Sequence, residues 1–189
     1  TMAIFDNLGG SVACNMRYDP ATDIEYKKNQ NGEWVEVGCG GLLKNWIYDN
    51  GKVYKTLYAN VGGLGTSGTT TLEVDHILLT ANGTASNGRR QGVRTEESVD
   101  LTNIDTIYLD YEVISGTQNV YIIVQSTITD SSDFTGNSEA KSVLTELTSG
   151  ASGTLELNVS NLSGNHYLYF GIVGQTSDSK TKLHKMYYK

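Results

Sequence analysis

Alternating apolar and polar residues mark much of the chain, most clearly in "VDLTNIDTIYLDYEV" at 99–113. Ile107, Leu109, Tyr111 and Val113 alternate there with Tyr108 and with acidic positions. Successive side chains of an extended chain point to opposite faces, so a period of two predicts a strand with one apolar and one wetter face.

Strand-like segments of this kind recur beyond residue 68, separated by Gly, Asn and Ser turn signals. The predicted segments are 70–80, 92–99, 106–114, 119–127, 142–147, 154–159, 167–173 and 183–188. The run "NVYIIVQST" at 119–127 predicts a central strand buried on both faces. "SEAKSVLTEL" at 138–147 is the one plausible helix, but Val143, Thr145 and Leu147 alternate and favour a strand. The sequence therefore predicts an all-β fold, an antiparallel β-sandwich of jelly-roll-like type.

The first third of the chain predicts two hairpins ahead of the sandwich. Residues 24–28 and 33–37 flank the loop "NQNG", and residues 45–56 contain Asn50-Gly51, the preferred pair for a two-residue type I′ turn. "GGLGTSG" at 62–68 has little to bury and predicts a flexible linker. We therefore expect an N-terminal β-hairpin region for attachment or extension over 1–61 and the jelly-roll-like sandwich over 69–189.

Composition and charge narrow the class of partner. The chain has 189 residues, 21 Gly, 12 Tyr and one Pro, which suits many strands joined by turns. The formal net charge of −7 argues against nucleic acid or an anionic membrane as a partner. The longest aliphatic run, Ile77-Leu78-Leu79, is far shorter than the roughly 20 residues of a bilayer span, and no Sec-type leader is visible.

Catalytic and metal-binding patterns are missing from the sequence. His76, His166 and His184 stand apart without ligand spacing, so no metal site is predicted. A glycosidase needs two carboxylates that face each other across a bond, whereas Asp110 and Glu112 lie side by side on one strand face. We interpret them as the exposed side of an amphipathic strand, and the sequence predicts no enzyme and no catalytic residue.

Two further features stay open from sequence. "DSSD" at 130–133 offers oxygens to a calcium ion, but a polar turn explains it as well, so we expect no cofactor and keep calcium as an alternative. Cys14 and Cys39 can form one disulfide or remain two small buried thiols, and the second interpretation is favoured.

A cluster of arginines is the unusual local feature. Three of the four arginines fall within "GRRQGVR" at 88–94. A guanidinium can bind a carboxylate or phosphate with two parallel hydrogen bonds, so an anionic glycan is a fitting ligand for Arg89, Arg90 and the neighbouring Gln91. The alternative is that the arginines pair with nearby acids. Those acids are Glu96, Glu97, Asp110 and Glu112.

Aromatic side chains offer a second route to sugar binding, because a pyranose face can stack on a flat ring. The candidates are Trp34, Trp46, Tyr167 and Tyr169. If Leu168 and its alternate neighbours face the core, Tyr169 faces outward. Aromatic residues in strands are nevertheless more often core than platform. The predicted ligand-binding residues are therefore Trp46 and Tyr169 together with the arginine cluster.

Two segments carry a resemblance to a known family. "RTEESVDLTNIDTIYLDYEV" and the later "LELNVSNLSGNHYLYFGIV" resemble the carbohydrate-binding-like β-sandwich domains of tail proteins from phages of Gram-positive bacteria. "WIYDNGKVYKTLYANVGG" is similar to the hairpin that precedes the sandwich in those domains, so the resemblance covers about residues 45–189. Its motifs encode strand corners and no reaction.

The resemblance implies a component of a phage tail or tail-like particle, located in the virion. Such a protein is a fibre tip, a receptor-binding protein or a baseplate-associated part, usually a homotrimer without enzyme activity, and its partners are a bacterial cell-surface glycan and other tail proteins. The alternatives are a bacterial surface or secreted carbohydrate-binding module and, from a different class, a polysaccharide depolymerase or esterase.

Overall fold

The computed structural model describes residues 3–5, 16–19, 24–28, 33–36, 45–61, 68–84, 89–129 and 138–189. All regular structure in these ranges is β-strand. Within the same ranges, no helix is long and apolar enough to cross a membrane. The chain divides into two units, Thr1–Lys44 with Lys189 and Asn45–Tyr188. Cys14, Cys39 and the calcium candidate at 130–133 lie outside the described residues.

The first unit contains a four-stranded antiparallel sheet in chain order. Its strands are β1 (Ala3–Phe5), β2 (Met16–Asp19), β3 (Ile24–Lys28) and β4 (Trp34–Glu36). β3 and β4 pair with Lys28 opposite Trp34, which confirms the hairpin predicted around "NQNG".

The second unit holds thirteen described strands. They are β5 (Asn45–Asp49), β6 (Lys52–Val53), β7 (Leu57–Val61), β8 (Thr69–Leu72), β9 (Ile77–Ala81), β10 (Arg90–Thr95), β11 (Val99–Asp100), β12 (Thr106–Ser115), β13 (Thr117–Gln125), β14 (Ala140–Thr148), β15 (Ser152–Asn158), β16 (Asn165–Gly174) and β17 (Ser179–Tyr188). The predicted strands from 106 onward are confirmed, with ends that differ by up to four residues.

These strands form two antiparallel sheets. Sheet I has the order β14-β13-β16-β10-β7, with β11 also paired to β16. Sheet II has the order β15-β12-β17-β5-β6, and β9 pairs with β17 on one side and β8 on the other. The predicted all-β antiparallel sandwich is therefore confirmed.

The core lies between the sheets and follows the alternation seen in the sequence. Ile107, Leu109, Tyr111 and Val113 of β12 are all buried in it. Sheet I contributes the alternate residues of its central strands. These are Val120, Ile122 and Val124 of β13 and Leu168, Phe170 and Ile172 of β16. Burial of apolar side chains on both inner faces is the main favourable contribution to folding.

A second, smaller cluster covers part of the outer face of sheet I. Val61, Ile123 and Tyr169 are fully buried in it, and Tyr121 and Tyr167 pack against it. Because Ile122 and Ile123 are both fully buried, β13 is covered on both faces there, as its continuous apolar run predicts.

The structure places the unit boundary earlier than the predicted division at residue 61. β5 pairs with β17 and β7 pairs with β10, so residues 45–61 are part of the sandwich. The turn between β5 and β6 is as predicted, with φ of 43° at Asn50 and 95° at Gly51. Both values lie in the left-handed region that a type I′ turn requires.

The single strand expected over 70–80 is in fact a hairpin. β8 and β9 pair with Leu72 opposite Ile77, and the backbone nitrogen of Glu73 donates to the carbonyl of His76 at 2.9 Å. Apolar and polar residues continue to alternate into this turn. The sequence pattern therefore did not show where the first strand ends.

Removing a core side chain gives the first test of the sandwich. Leu109→Ala should lower the free energy of unfolding by about 2–5 kcal/mol, because the buried leucine leaves a cavity between the sheets. Urea unfolding monitored by intrinsic fluorescence measures this loss. Ile114→Ala on the same strand removes a side chain that is 36% exposed and should cost much less. Equal losses for the two variants would contradict the core described above.

Candidate functional site

A polar groove opens on the outer side of sheet I, at the end where β13 begins. Its volume is about 650 Å³. Three hydroxyls, two carboxamides and one carboxylate line it. They belong to Thr117, Asn119, Thr145, Glu146, Thr148 and Gln175. All of these groups can exchange hydrogen bonds with a hydroxyl-rich ligand.

A β-bulge in β14 shapes this polar groove. Gln118 pairs with Leu147 and Val120 pairs with Leu144, so Asn119 alone faces two residues of β14. Leu144 and Leu147 both pack against the core. The two residues between them, Thr145 and Glu146, are therefore both available to the outer face, where an unbroken strand would present one.

The bulge is held by a side chain of the facing strand. Glu146 has a φ of 56°, a conformation that costs a non-glycine residue about 1–2 kcal/mol. The Asn119 side-chain oxygen accepts a hydrogen bond from the backbone nitrogen of Glu146 at 3.0 Å. The Asn119 amide nitrogen lies 3.4 Å from the Tyr121 hydroxyl, so one carboxamide links the bulge to a half-buried ring.

The structure brings two predicted residues, Arg89 and Arg90, near this groove. Arg89 is exposed and donates to the side-chain oxygen of Gln175 at 3.2 Å. Arg90 and Asn119 flank Val173 in one row across sheet I. In the sequence, the arginine cluster alone indicated the region around Arg89 and Arg90. No sequence signal connected that region with β14.

The third arginine of the cluster has a structural role. Arg94 is 6% exposed, its guanidinium lies 4.4 Å from the centre of the Tyr58 ring, and it donates to the carbonyl of Thr95 at 3.1 Å. A cation over an aromatic face stabilises the packing of neighbouring strands.

Two predicted ligand-binding residues, Gln91 and Tyr169, are buried and offer no ligand surface. Gln91 faces into the sandwich, where its side-chain oxygen lies 3.4 Å from the Thr70 hydroxyl. Tyr169 points away from the main core, as predicted, but its hydroxyl accepts a hydrogen bond from the backbone nitrogen of Thr129 at 2.9 Å. The expected exposure is wrong because the second cluster covers this part of sheet I.

Trp46 lies on the outer face of sheet II and belongs to an aromatic ladder. Its ring centre is 5.1 Å from that of Tyr187 and 6.4 Å from that of Tyr54. Tyr108 and Tyr187 stack at 4.7 Å with an angle of 9° between their planes. At this distance and angle, the Tyr108 and Tyr187 rings form an offset stack, and each covers one face of the other. Trp46 is part of sheet II, whereas the arginines belong to sheet I, so Trp46 does not share a site with them.

The acidic pair of β12 has partners on neighbouring strands. Asp110 accepts a hydrogen bond from the Thr154 hydroxyl at 2.6 Å, and Glu112 lies 3.1 Å from His184 and 3.8 Å from Lys182. The ring of His76 is 6.1 Å from that of His184, a proximity that the sequence spacing does not reveal. Within the described residues, no group of three or more His, Cys, Asp or Glu side chains is arranged to hold a metal ion.

A side-chain clasp joins the residue that follows β13 and the residue that precedes β14 to a histidine of β16. Glu139 accepts from the backbone nitrogen of Ser126 at 3.0 Å and contacts the His166 ring at 2.9 Å. The hydrogen bonds from Ser126, reinforced by His166, lower the pKa of Glu139 below 4.5 and outweigh the opposing effect of burial. The other ring nitrogen of His166 lies 3.0 Å from the carbonyl of Gly164.

Comparison with known proteins finds likeness in fold. No family model and no curated protein matches the sequence. A family 29 carbohydrate-binding module from Piromyces equi superposes with a TM-score of 0.49 at 10% identity, over 77% of this chain and 89% of that one. TmCBM61 in complex with β-1,4-galactotriose gives 0.43 at 10% identity, over 71% and 86%. The K3 cleaved adhesin domain of Lys-gingipain from Porphyromonas gingivalis gives 0.48 at 12% identity, over 78% and 98%.

The clasp predicts a pH dependence of stability. A depressed carboxyl pKa stabilises the folded state above pH 4.5, and this contribution is lost as the pH falls through the folded-state pKa. The free energy of unfolding should therefore fall more steeply below pH 4.5 in the wild type than in Glu139→Gln, with the two profiles converging in acid. Urea unfolding between pH 3 and pH 7 measures both, and parallel profiles would rule the clasp out.

Proposed function

We propose that this protein is a non-catalytic glycan-binding module and that it binds sugar in the polar groove of sheet I. The observation that carries the proposal is the concentration of hydroxyls, carboxamides and a carboxylate around one open volume of about 650 Å³. That volume lies within the range of about 300–1,000 Å³ typical of ligand sites.

The chemistry of the groove suits sugar hydroxyls. Each sugar hydroxyl both donates and accepts, and the groove offers donors and acceptors in Asn119 and Gln175 and acceptors in Glu146. Most of these side chains stand on paired strands, so little conformational freedom is lost on binding. Arg89 holds the Gln175 carboxamide from one side, which orients it before any ligand arrives.

Among its described lining residues, the same groove lacks the parts of an enzyme. Hydrolysis of a glycosidic bond uses a pair of carboxyl groups, separated by about 5–9.5 Å. The residues that line the groove include one carboxylate, Glu146, and no histidine to activate a nucleophile. Asp110 and Glu112 belong to the other sheet and are engaged there. A depolymerase or esterase is therefore the weaker proposal.

The biological setting has two candidates. The first is a bacterial surface or secreted carbohydrate-binding module, and the groove by itself is enough to support this candidate. A phage tail component, located in the virion and assembled as a trimer with other tail proteins, has its support in the sequence resemblance over residues 45–189. Light scattering of the purified chain separates them in part, since a tail tip should have three times the mass of the monomer.

A double substitution tests the groove. Thr145→Val with Thr148→Val keeps the side-chain volume but removes two hydroxyls, so affinity for a bound glycan should fall about tenfold through two lost hydrogen bonds. An array of neutral, N-acetylated, amino and uronic acid oligosaccharides identifies the glycan, and calorimetry measures the affinity.

The matched control is Thr71→Val, which removes an exposed hydroxyl from β8 of sheet II and should leave binding unchanged. If no glycan of the array binds, or if the double variant binds as tightly as the wild type, the groove is not a sugar site.

A further inference from the structure

Glu146 gives the polar groove a negative charge without an internal counter-ion. Its side chain is exposed and lines the groove. Among the described residues, no ion pair joins the Glu146 carboxylate to a cation. Its charge therefore remains available to a ligand.

The backbone at this position gives a second reason to assign a role to the side chain. A φ of 56° is adopted readily by glycine and by asparagine but is disfavoured for glutamate. Asn119 uses its side-chain oxygen to hold the nitrogen of this residue in place. A carboxylate maintained at a strained position inside a groove indicates function at that position.

Among the described residues that line the groove, the charged side chain is negative, so direct contact favours a cation over an anion. Arg89 and Arg90 lie near the groove but not in its lining, and Arg89 spends a donor on Gln175. Lys180 pairs with Asp178 at 3.1 Å. Salt at about 0.1 M largely screens charges that lie more than about 10 Å apart, whereas a carboxylate in direct contact with a bound group is screened much less. The chain's formal charge of −7 adds a field that attracts cations.

Resting on the proposed function, we propose that the groove selects glycans that contain unacetylated amino sugars. The protonated amine donates charge-assisted hydrogen bonds to the Glu146 carboxylate, while neighbouring ring hydroxyls bind Thr145, Asn119 and Gln175. N-acetylation removes the positive charge and adds a bulky group, so it weakens binding. The anionic glycan expected from the arginine cluster is thereby replaced by a cationic one.

A matched pair of oligosaccharides tests this selectivity. Calorimetry compares the tetramer of β-1,4-linked glucosamine with its fully N-acetylated counterpart at pH 6. The wild type should bind the amine form about two- to fivefold more tightly, as expected for one solvent-exposed ion pair. The preference should shrink as sodium chloride is raised to about 1 M, because salt screens the pair.

Glu146→Gln keeps the shape of the side chain but removes its charge and replaces one acceptor oxygen by an NH2 donor. It should therefore abolish the preference for the amine form over the acetylated form. Glu156→Gln makes the same charge change on the exposed side of β15 in sheet II and should retain the preference. Urea unfolding checks that both variants fold.

The outcomes separate the two proposals. If the protein binds array glycans but prefers acetylated or uronic acid oligomers, or if Glu146→Gln keeps the preference for the amine, the selectivity is refuted and the glycan-binding groove stands. If neither tetramer nor any array glycan binds, both proposals fail together.

Discussion

The structure depends on one constraint, which is that every central strand keeps one alternate set of apolar side chains in the space between sheet I and sheet II. Because side chains alternate with a period of two, a slip of one residue would turn a whole set to solvent. β12, β13 and β16 keep this phase without a break in their core residues. β14 also directs its leucines to the core, but with a different spacing. Leu144 and Leu147 both reach the core although they are three positions apart. The extra residue is displaced outward, and the polar groove is the result.

Much of the fold can be predicted from the sequence, because the local alternation of apolar and polar residues agrees with the burial that the core requires. The alternation at 106–114 and the Asn50-Gly51 turn predict the strands and hairpin that are observed. What the sequence does not show is pairing between distant segments. β5 joins the sandwich by pairing with β17, about 140 residues later, so the second unit begins at Asn45 and not after residue 61. Most of the predicted linker at 62–68 lies outside the described residues.

The candidate site was less predictable, for a physical reason that Tyr169 illustrates. Alternation tells which side of a sheet a residue faces, but it does not tell whether that side is covered, and Tyr169 is buried on the predicted side. The bulge did leave a signal. In "SVLTELT", the spacing of three between Leu144 and Leu147 conflicts with the period of two expected of a strand, and such a conflict is what a bulge resolves. Asn119 carries no comparable signal, because its role depends on a strand that is distant in sequence.

The two outer faces differ in how far their polar and aromatic groups satisfy one another. On sheet II, Asp110 accepts a hydrogen bond from Thr154, Glu112 contacts His184, and aromatic rings stack on each other. Such groups gain little from a ligand, because binding would first have to replace contacts already made. In the groove of sheet I, Asn119 uses its side-chain oxygen to hold the bulge, and the Glu146 carboxylate lines the groove with an exposed side chain. The strained bulge thus presents an acceptor that has no ion-pair partner, which is why we place recognition on sheet I.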